Sequence, residues 1–211
     1  MGSSNVPPSS TSTSLLSRVR NSEDREAWSE FESRYRELLL RFCRRRGLQF
    51  ADADDIVQTV FIALSKSLPQ FTYDPQRGRF RDYLYRSVRN AIGNHRKRSI
   101  SRFEALDTSV EASANMTDAS GDAADQALWQ EEWVSHHYRL AMSRIRGEFE
   151  PRNLEIFERF VQGASVADLA RDFGLNEPAI YATRRRIRTR LQELIDEQVR
   201  EEDQFDGTSS A

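Results

Sequence analysis

The sequence predicts an all-α protein made of two small helical domains joined by a flexible acidic linker. Three observations lead there. Apolar residues recur at three- and four-residue spacing in several separate stretches, the marker of amphipathic helices. Between those stretches lies a Ser-, Ala-, Thr- and Asp-rich segment that lacks the apolar surface needed to offset the entropy of ordering. The chain has 211 residues and is 38% hydrophobic, a modest content for one large core and adequate for two small ones.

The N-terminal residues 1–14, MGSSNVPPSSTSTS, read as a disordered leader without the basic-then-apolar order of a signal peptide. A first domain is expected over 15–100, as a three-to-four-helix bundle. Its first stripe is Trp28, Phe31, Tyr35, Leu38, Leu39 and Phe42, ending at the basic cluster Arg44, Arg45, Arg46 and at Gly47. A second helix should begin near Asp52, with Asp52 as its N-cap, bury Ile56, Val57, Val60, Phe61 and Leu64, and stop at Pro69. The loop FTYDPQRGR then leads into a third stripe of Phe80, Tyr83, Leu84, Val88, Ala91 and Ile92.

The acidic linker is placed at 101–123 and a second domain at 124–196. Periodicity resumes with Trp129, Trp133, Leu140 and Ile145, and Pro151 opens a short helix carrying Leu154, Phe157 and Phe160. In GASVADLARDFGLNEPAIYATRRRIRTRL the local signals agree. Ser165 can cap a helix, Val166, Leu169, Ala170 and Phe173 give it an apolar face, and Gly174 permits a left-handed turn. Asn176 then caps a second helix with Ile180, Ile187, Leu191 and Leu194 inward. That is a helix-turn-helix layout. Residues 197–211 read as an acidic tail.

Charge is distributed unevenly. The net charge is −2, yet residues 104–133 carry eight acids and no Lys or Arg, and residues 196–206 carry six acids against one Arg. Those two pieces hold −8 and −5, which leaves +11 on the remainder and makes the folded parts suited to a polyanion. Cys43 is alone, so no internal disulfide and no ordinary thiolate metal site is available, and a reducing intracellular, cytoplasmic setting is expected. No apolar run reaches the length of a membrane span.

Two basic zones are candidate nucleic-acid surfaces. The second helix of the helix-turn-helix carries Arg184, Arg185, Arg186, Arg188 and Arg190, and residues 178–192 contain no acid, unlike a merely solvated helix that would interleave Glu at i,i+4. Tyr181, Ala182, Arg185 and Arg186 on its early turns are the candidate base readers, with Arg188 and Arg190 as phosphate contacts or links to neighbours. In the first domain Arg77, Arg79, Arg81, Arg86, Arg89, Arg96, Lys97, Arg98 and Arg102 face only Asp82, with aromatics Phe71, Tyr73, Phe80, Tyr83 and Tyr85 interleaved. Charge along a backbone plus rings that accept bases is how single strands are held; most of these rings are expected in the core, Phe80 and Tyr83 foremost, and the loop rings Phe71 and Tyr73 are the candidates for exposure.

The acidic cluster Asp52, Asp54, Asp55 admits three readings. A metal or carboxylate enzyme would need further ligands, and the chain offers only His95, His136 and His137. An ordinary helix start would place the acids at the positive end of the dipole. A partner surface would use Asp55, Gln58, Thr59 and Ile62, which fall away from the buried stripe. No catalytic residue, metal or cofactor is expected.

Taken together, ADADDIVQTVFIAL, GRFRDYLYRSVRNAIGNHRKR and the helix-turn-helix block resemble the bacterial RNA polymerase sigma factors of the extracytoplasmic-function group, the first two its region 2 and the third its region 4. The resemblance implies a non-enzymatic initiation subunit that binds core RNA polymerase and recognises and helps melt promoter DNA. By position, Asp55, Gln58, Thr59 and Ile62 correspond to the helix that docks on core polymerase. Phe71, Tyr73, Arg77 and Arg79 correspond to the loop that captures a flipped base of the −10 element. Tyr83, Arg86, Arg89 and Asn90 correspond to the helix that follows the melted strand, and Tyr181, Ala182, Arg185, Arg186 and Arg188 to the −35 reader. An anti-sigma or other regulatory protein is a further partner the family admits. The chain departs from the pattern at Thr59, where an acid is usual, and at Glu177-Pro178, which replace a small pair. The competing reading is a stand-alone helix-turn-helix regulator that binds duplex DNA without polymerase.

Overall fold

A computed structural model describes residues 15–70, 79–104 and 119–207, with side chains assigned for 15–69, 79–99 and 122–202. Every regular element among the described residues is helical, as the sequence predicts. The chain forms α1 (Leu15–Arg18), α2 (Arg25–Arg45), α3 (Phe50–Ser67), a 3-10 turn (Leu68–Gln70), α4 (Phe80–Glu104), α5 (Ala119–Glu148), α6 (Pro151–Val161), α7 (Val166–Phe173) and α8 (Glu177–Gly207). No described helix is long and apolar enough to cross a membrane.

Two compact units result, one of Met1–Trp129 with Glu201–Ala211 and one of Gln130–Arg200. In the first unit α2, α3 and α4 enclose the core. Phe31, Tyr35, Leu38, Leu39 and Phe42 of α2 are buried with Ile56, Val57, Val60 and Leu64 of α3 and Phe80, Leu84, Val88 and Ile92 of α4. Phe31 meets Phe61 and Phe80 edge to face at 6.0 and 6.1 Å, a geometry that aligns the positive ring edge with the negative face. The short α1, which periodicity does not reveal, adds Leu15 and Leu16 to this core. Asp24 caps α2 by accepting a hydrogen bond from the Ala27 amide at 2.9 Å.

Helix α3 starts earlier than the sequence suggests. Its N-cap is Gln49, whose extended backbone lets the Ala53 amide reach the Gln49 carbonyl at 2.9 Å, and no side chain caps the helix. Asp52 is therefore not the N-cap; it lies inside the first turn, where its charge still faces the positive end of the dipole.

The second unit holds two adjoining cores with α6 between them. Ala141, Met142 and Ile145 of α5 meet Leu154 and Phe157 of α6 and Ile187 and Leu194 of α8. Ile156, on another face of α6, packs with Leu169 of α7 and Ile180 of α8. The turn between α7 and α8 forms as its residues dictate. Ser165 Oγ accepts from the Asp168 amide, Gly174 sits at φ 61° where a side chain would be strained, and Asn176 Oδ1 accepts from the Ala179 amide at 2.9 Å. A polar latch ties α5 to α8, with His137 Nδ1 2.8 Å from Gln198 Oε1.

Three helices run beyond the extents the sequence suggests. Helix α4 continues to Glu104 and α5 begins at Ala119, both inside the stretch expected to be linker, and α8 runs to Gly207 through the expected tail. Distant partners account for the latter two. Trp129 of α5 is buried with its ring 5.2 Å from Phe42 and 5.8 Å from Tyr85, which carries the first turns of α5 into the first unit. Glu201 pairs with Arg34 at 3.0 Å, and Glu202 accepts a hydrogen bond from the buried Tyr35 hydroxyl at 3.0 Å. The acidic end of α8 thus has its partners on α2.

Candidate nucleic-acid interface

Three surfaces gather the residues singled out in the sequence. On α3 the aspartate cluster divides. Asp54 is 2.5 Å from Arg36 and Asp52 is 3.4 Å from His95, so both serve contacts within the first unit. Asp55, Gln58 and Thr59 are exposed, and Ile62, beside the buried stripe, is 51% exposed. The i, i+3, i+4 and i+7 spacing of these four puts them on one face. The Thr59 hydroxyl donates to the Asp55 carbonyl at 2.8 Å, which keeps it close to the helix. Among the described residues no group of three or more His, Cys, Asp and Glu is arranged to hold a metal ion.

On α4, Phe80 is buried and Tyr83 is half-buried, with its hydroxyl 2.5 Å from Ser67 Oγ. Arg79 is exposed, and its amide donates to Asp82 Oδ2 at 3.0 Å, which starts the helix. Arg86, Arg89 and Asn90 are exposed. Tyr83, Arg86 and Asn90 share a face by their spacing. Phe71, Tyr73 and Arg77 lie outside the described residues. Arg89 is engaged, since its Nη1 lies 2.9 Å from Asp122 Oδ1. The sequence alone does not find this pair, because Asp122 falls in the segment that looks like linker. Tyr85 is buried, and burial first, then the adjacent Asp122 charge, raises its hydroxyl pKa.

On α8, Tyr181 is 51% exposed, and Ala182, Arg185, Arg186 and Arg188 are exposed. The other two arginines have structural partners. The Arg184 guanidinium lies 4.0 Å from the centre of the Phe160 ring. Arg190 forms a fork with both oxygens of Glu148 at 2.7 and 2.9 Å, and this bidentate bond holds the Glu148 carboxyl below the usual range. On the supporting helix, hydrogen bonds from Ser165 and then Arg171 likewise depress Asp168. The exposed arginines thus project from a helix whose base is clamped on two sides.

The arrangement fits a known family. Residues 33–102, from the third turn of α2 onward through α3 and nearly all of α4, match the Sigma-70 region 2 family model. The chain is 26% identical over 186 residues to the RNA polymerase sigma factor CnrH of Cupriavidus metallidurans, covering 86% of this chain and 93% of that protein. It is 29% identical over 188 residues to the ECF RNA polymerase sigma factor BldN of Streptomyces coelicolor, covering 88% and 66%. It is 28% identical over 185 residues to the RNA polymerase sigma factor NccH of Alcaligenes xylosoxydans xylosoxydans, covering 85% and 92%. A solved structure of CnrH in complex with the cytosolic domain of CnrY matches at 21% identity over 86% of this chain and 95% of that one, with a TM-score of 0.33, too low to bear on the fold. Residues 33–102 thus make up a Sigma-70 region 2 domain, in a fold that is helical throughout its regular elements among the described residues. Over most of its length the chain is similar to RNA polymerase sigma factors, one of them of the ECF group.

Proposed function

We propose that this protein acts by binding rather than catalysis, as a transcription-initiation subunit. In this reading the α3 face of Asp55, Gln58, Thr59 and Ile62 docks on core RNA polymerase. The first unit takes unpaired bases of the −10 element through the segment from Phe71 to Arg79 and the α4 face of Tyr83, Arg86, Arg89 and Asn90. Helix α8 enters the major groove of the −35 element with Tyr181, Ala182, Arg185 and Arg186, while Arg188 contacts the backbone. The promoter is melted because flipped bases, which cost a few kcal/mol of stacking, are held by ring and charge contacts on the first unit.

The observation that carries this reading is one chain bearing both an exposed acidic and apolar face on α3 and an acid-free exposed arginine face on α8. A regulator working alone needs only the second. Run-off transcription with purified core enzyme from its own organism and genomic DNA fragments tests it: discrete transcripts dependent on the chain are expected. Duplex binding without any chain-dependent transcript would replace the reading with that of a stand-alone helix-turn-helix regulator.

A further inference from the structure

Three arginines lie on one side of the first unit. Arg46 follows the last turn of α2, and Arg89 and Arg96 lie two turns apart on α4. Burial first, and then the like charges of Arg96 and Arg89, hold Arg46 below the ordinary guanidinium pKa, so both cations act on Arg46. An anion beside them offsets that repulsion.

The anion is supplied by the chain itself. Asp125 contacts the Arg46 guanidinium, and Asp122 lies 2.9 Å from Arg89 Nη1 and accepts from the Tyr85 hydroxyl at 3.3 Å. Asp122 and Asp125 are one helical turn apart, which places their Cβ atoms about 5–6 Å from each other. That separation is of the order found between neighbouring phosphates on a strand. The buried Trp129 anchors the segment one turn further on. Because Arg89 belongs to the α4 face that the proposed function gives to DNA, the same cation cannot serve both partners at once.

We propose that Arg46, Arg89 and Arg96 form a binding site for the phosphodiester backbone of DNA, occupied in the DNA-free chain by the carboxylates of Asp122 and Asp125. DNA binding at this site and docking of the first turns of α5 are then mutually exclusive, and the start of α5 restrains the first unit until nucleic acid displaces it. The proposal rests on the reading of the first unit as a DNA-binding module, and it adds Arg46 and Arg96 to the surface and assigns a competitor.

The test uses the full chain and two labelled probes, a mixed-sequence single-stranded 20-mer and the matching duplex. Asp122→Asn with Asp125→Asn should tighten binding to one or both probes roughly tenfold, the scale expected on removing two partly exposed ion pairs. The slope of log affinity against log salt should steepen by about 1–2, as for one or two further phosphate contacts. Adding Arg46→Gln should reverse the gain. Glu23→Gln with Glu26→Gln, the same charge change around the N-terminal end of α2 and about 30 Å from Arg46 by the length of that helix, controls for net charge. In the unmodified chain, saturating oligonucleotide should speed amide exchange at residues 119–129, a readout independent of how the variants fold. A gain no larger than the control, or unchanged exchange at 119–129, would overturn the site. The sigma reading is tested separately by run-off transcription. A transcriptionally inactive chain that shows the gain keeps the site and removes that reading, and an active chain without the gain does the reverse.

Discussion

The Arg184 guanidinium rests 4.0 Å from the centre of the Phe160 ring, so the first of three consecutive arginines on α8 is spent on packing while the next two are exposed. A sequence run of like charges therefore contains two kinds of residue. Arg184→Gln should remove about 0.5–1 kcal/mol of stability from the second unit with little change in DNA affinity. Arg185→Gln and Arg186→Gln should leave thermal stability unchanged and weaken a cognate duplex by about 1–3 kcal/mol each, with relaxed specificity. Melting curves and anisotropy titrations on the same variants separate the two outcomes; equal losses of affinity at all three positions would contradict the division.

The turn between α7 and α8 depends on backbone conformation rather than on space. Gly174 is at φ 61°, and a Cβ there would meet nothing within 4 Å. Gly174→Ala should therefore cost only the left-handed strain, about 1 kcal/mol, and Gly174→Asn less. Leu169→Ala, at a fully buried position in the small core beneath the turn, should cost about 2–5 kcal/mol and abolish duplex binding with it. Chemical denaturation of the three variants gives the order directly, and a neutral Leu169→Ala would show that this core does not support the reading helix.

Cys43 is fully buried in the first unit, and burial pushes its thiol from an ordinary 9.0 up to about 12. At pH 8 about one thiol in ten thousand would be ionised. Alkylation by iodoacetamide should be slower by at least about 100-fold in the folded chain than in denaturant. Comparable rates in both would mean that the α2 core opens readily.

The parts of the fold visible in the sequence are those set by neighbours within a few residues. Ser165, Gly174 and Asn176 announce the helix-turn-helix because caps and a left-handed turn are local chemistry. The stripe of α2 does so because apolar spacing is fixed by helical pitch. What stayed hidden depends on pairing across the chain. The first turns of α5 look like linker until Trp129 finds Phe42 and Tyr85, and the end of α8 looks like a loose tail until Glu202 meets Tyr35. The true start of α3 at Phe50 was hidden for a smaller reason: Asp52 is a good capping residue by type, yet Gln49 supplies the extended backbone one turn earlier. Of the candidate surfaces, the exposed arginines of α8 and the α3 face were readable as positions. The engagement of Arg89 by Asp122 was not, since an acid thirty-three residues downstream leaves no periodic trace.

The central claim is that an exposed face of α3 grips the transcription enzyme, and size-exclusion chromatography of the purified chain with core RNA polymerase tests it most directly. The account predicts a stable co-eluting complex with the unmodified chain and none with Asp55→Arg, whose helical content and melting temperature stay unchanged. Co-elution of Asp55→Arg as complete as that of the unmodified chain, or no complex with either, would contradict it.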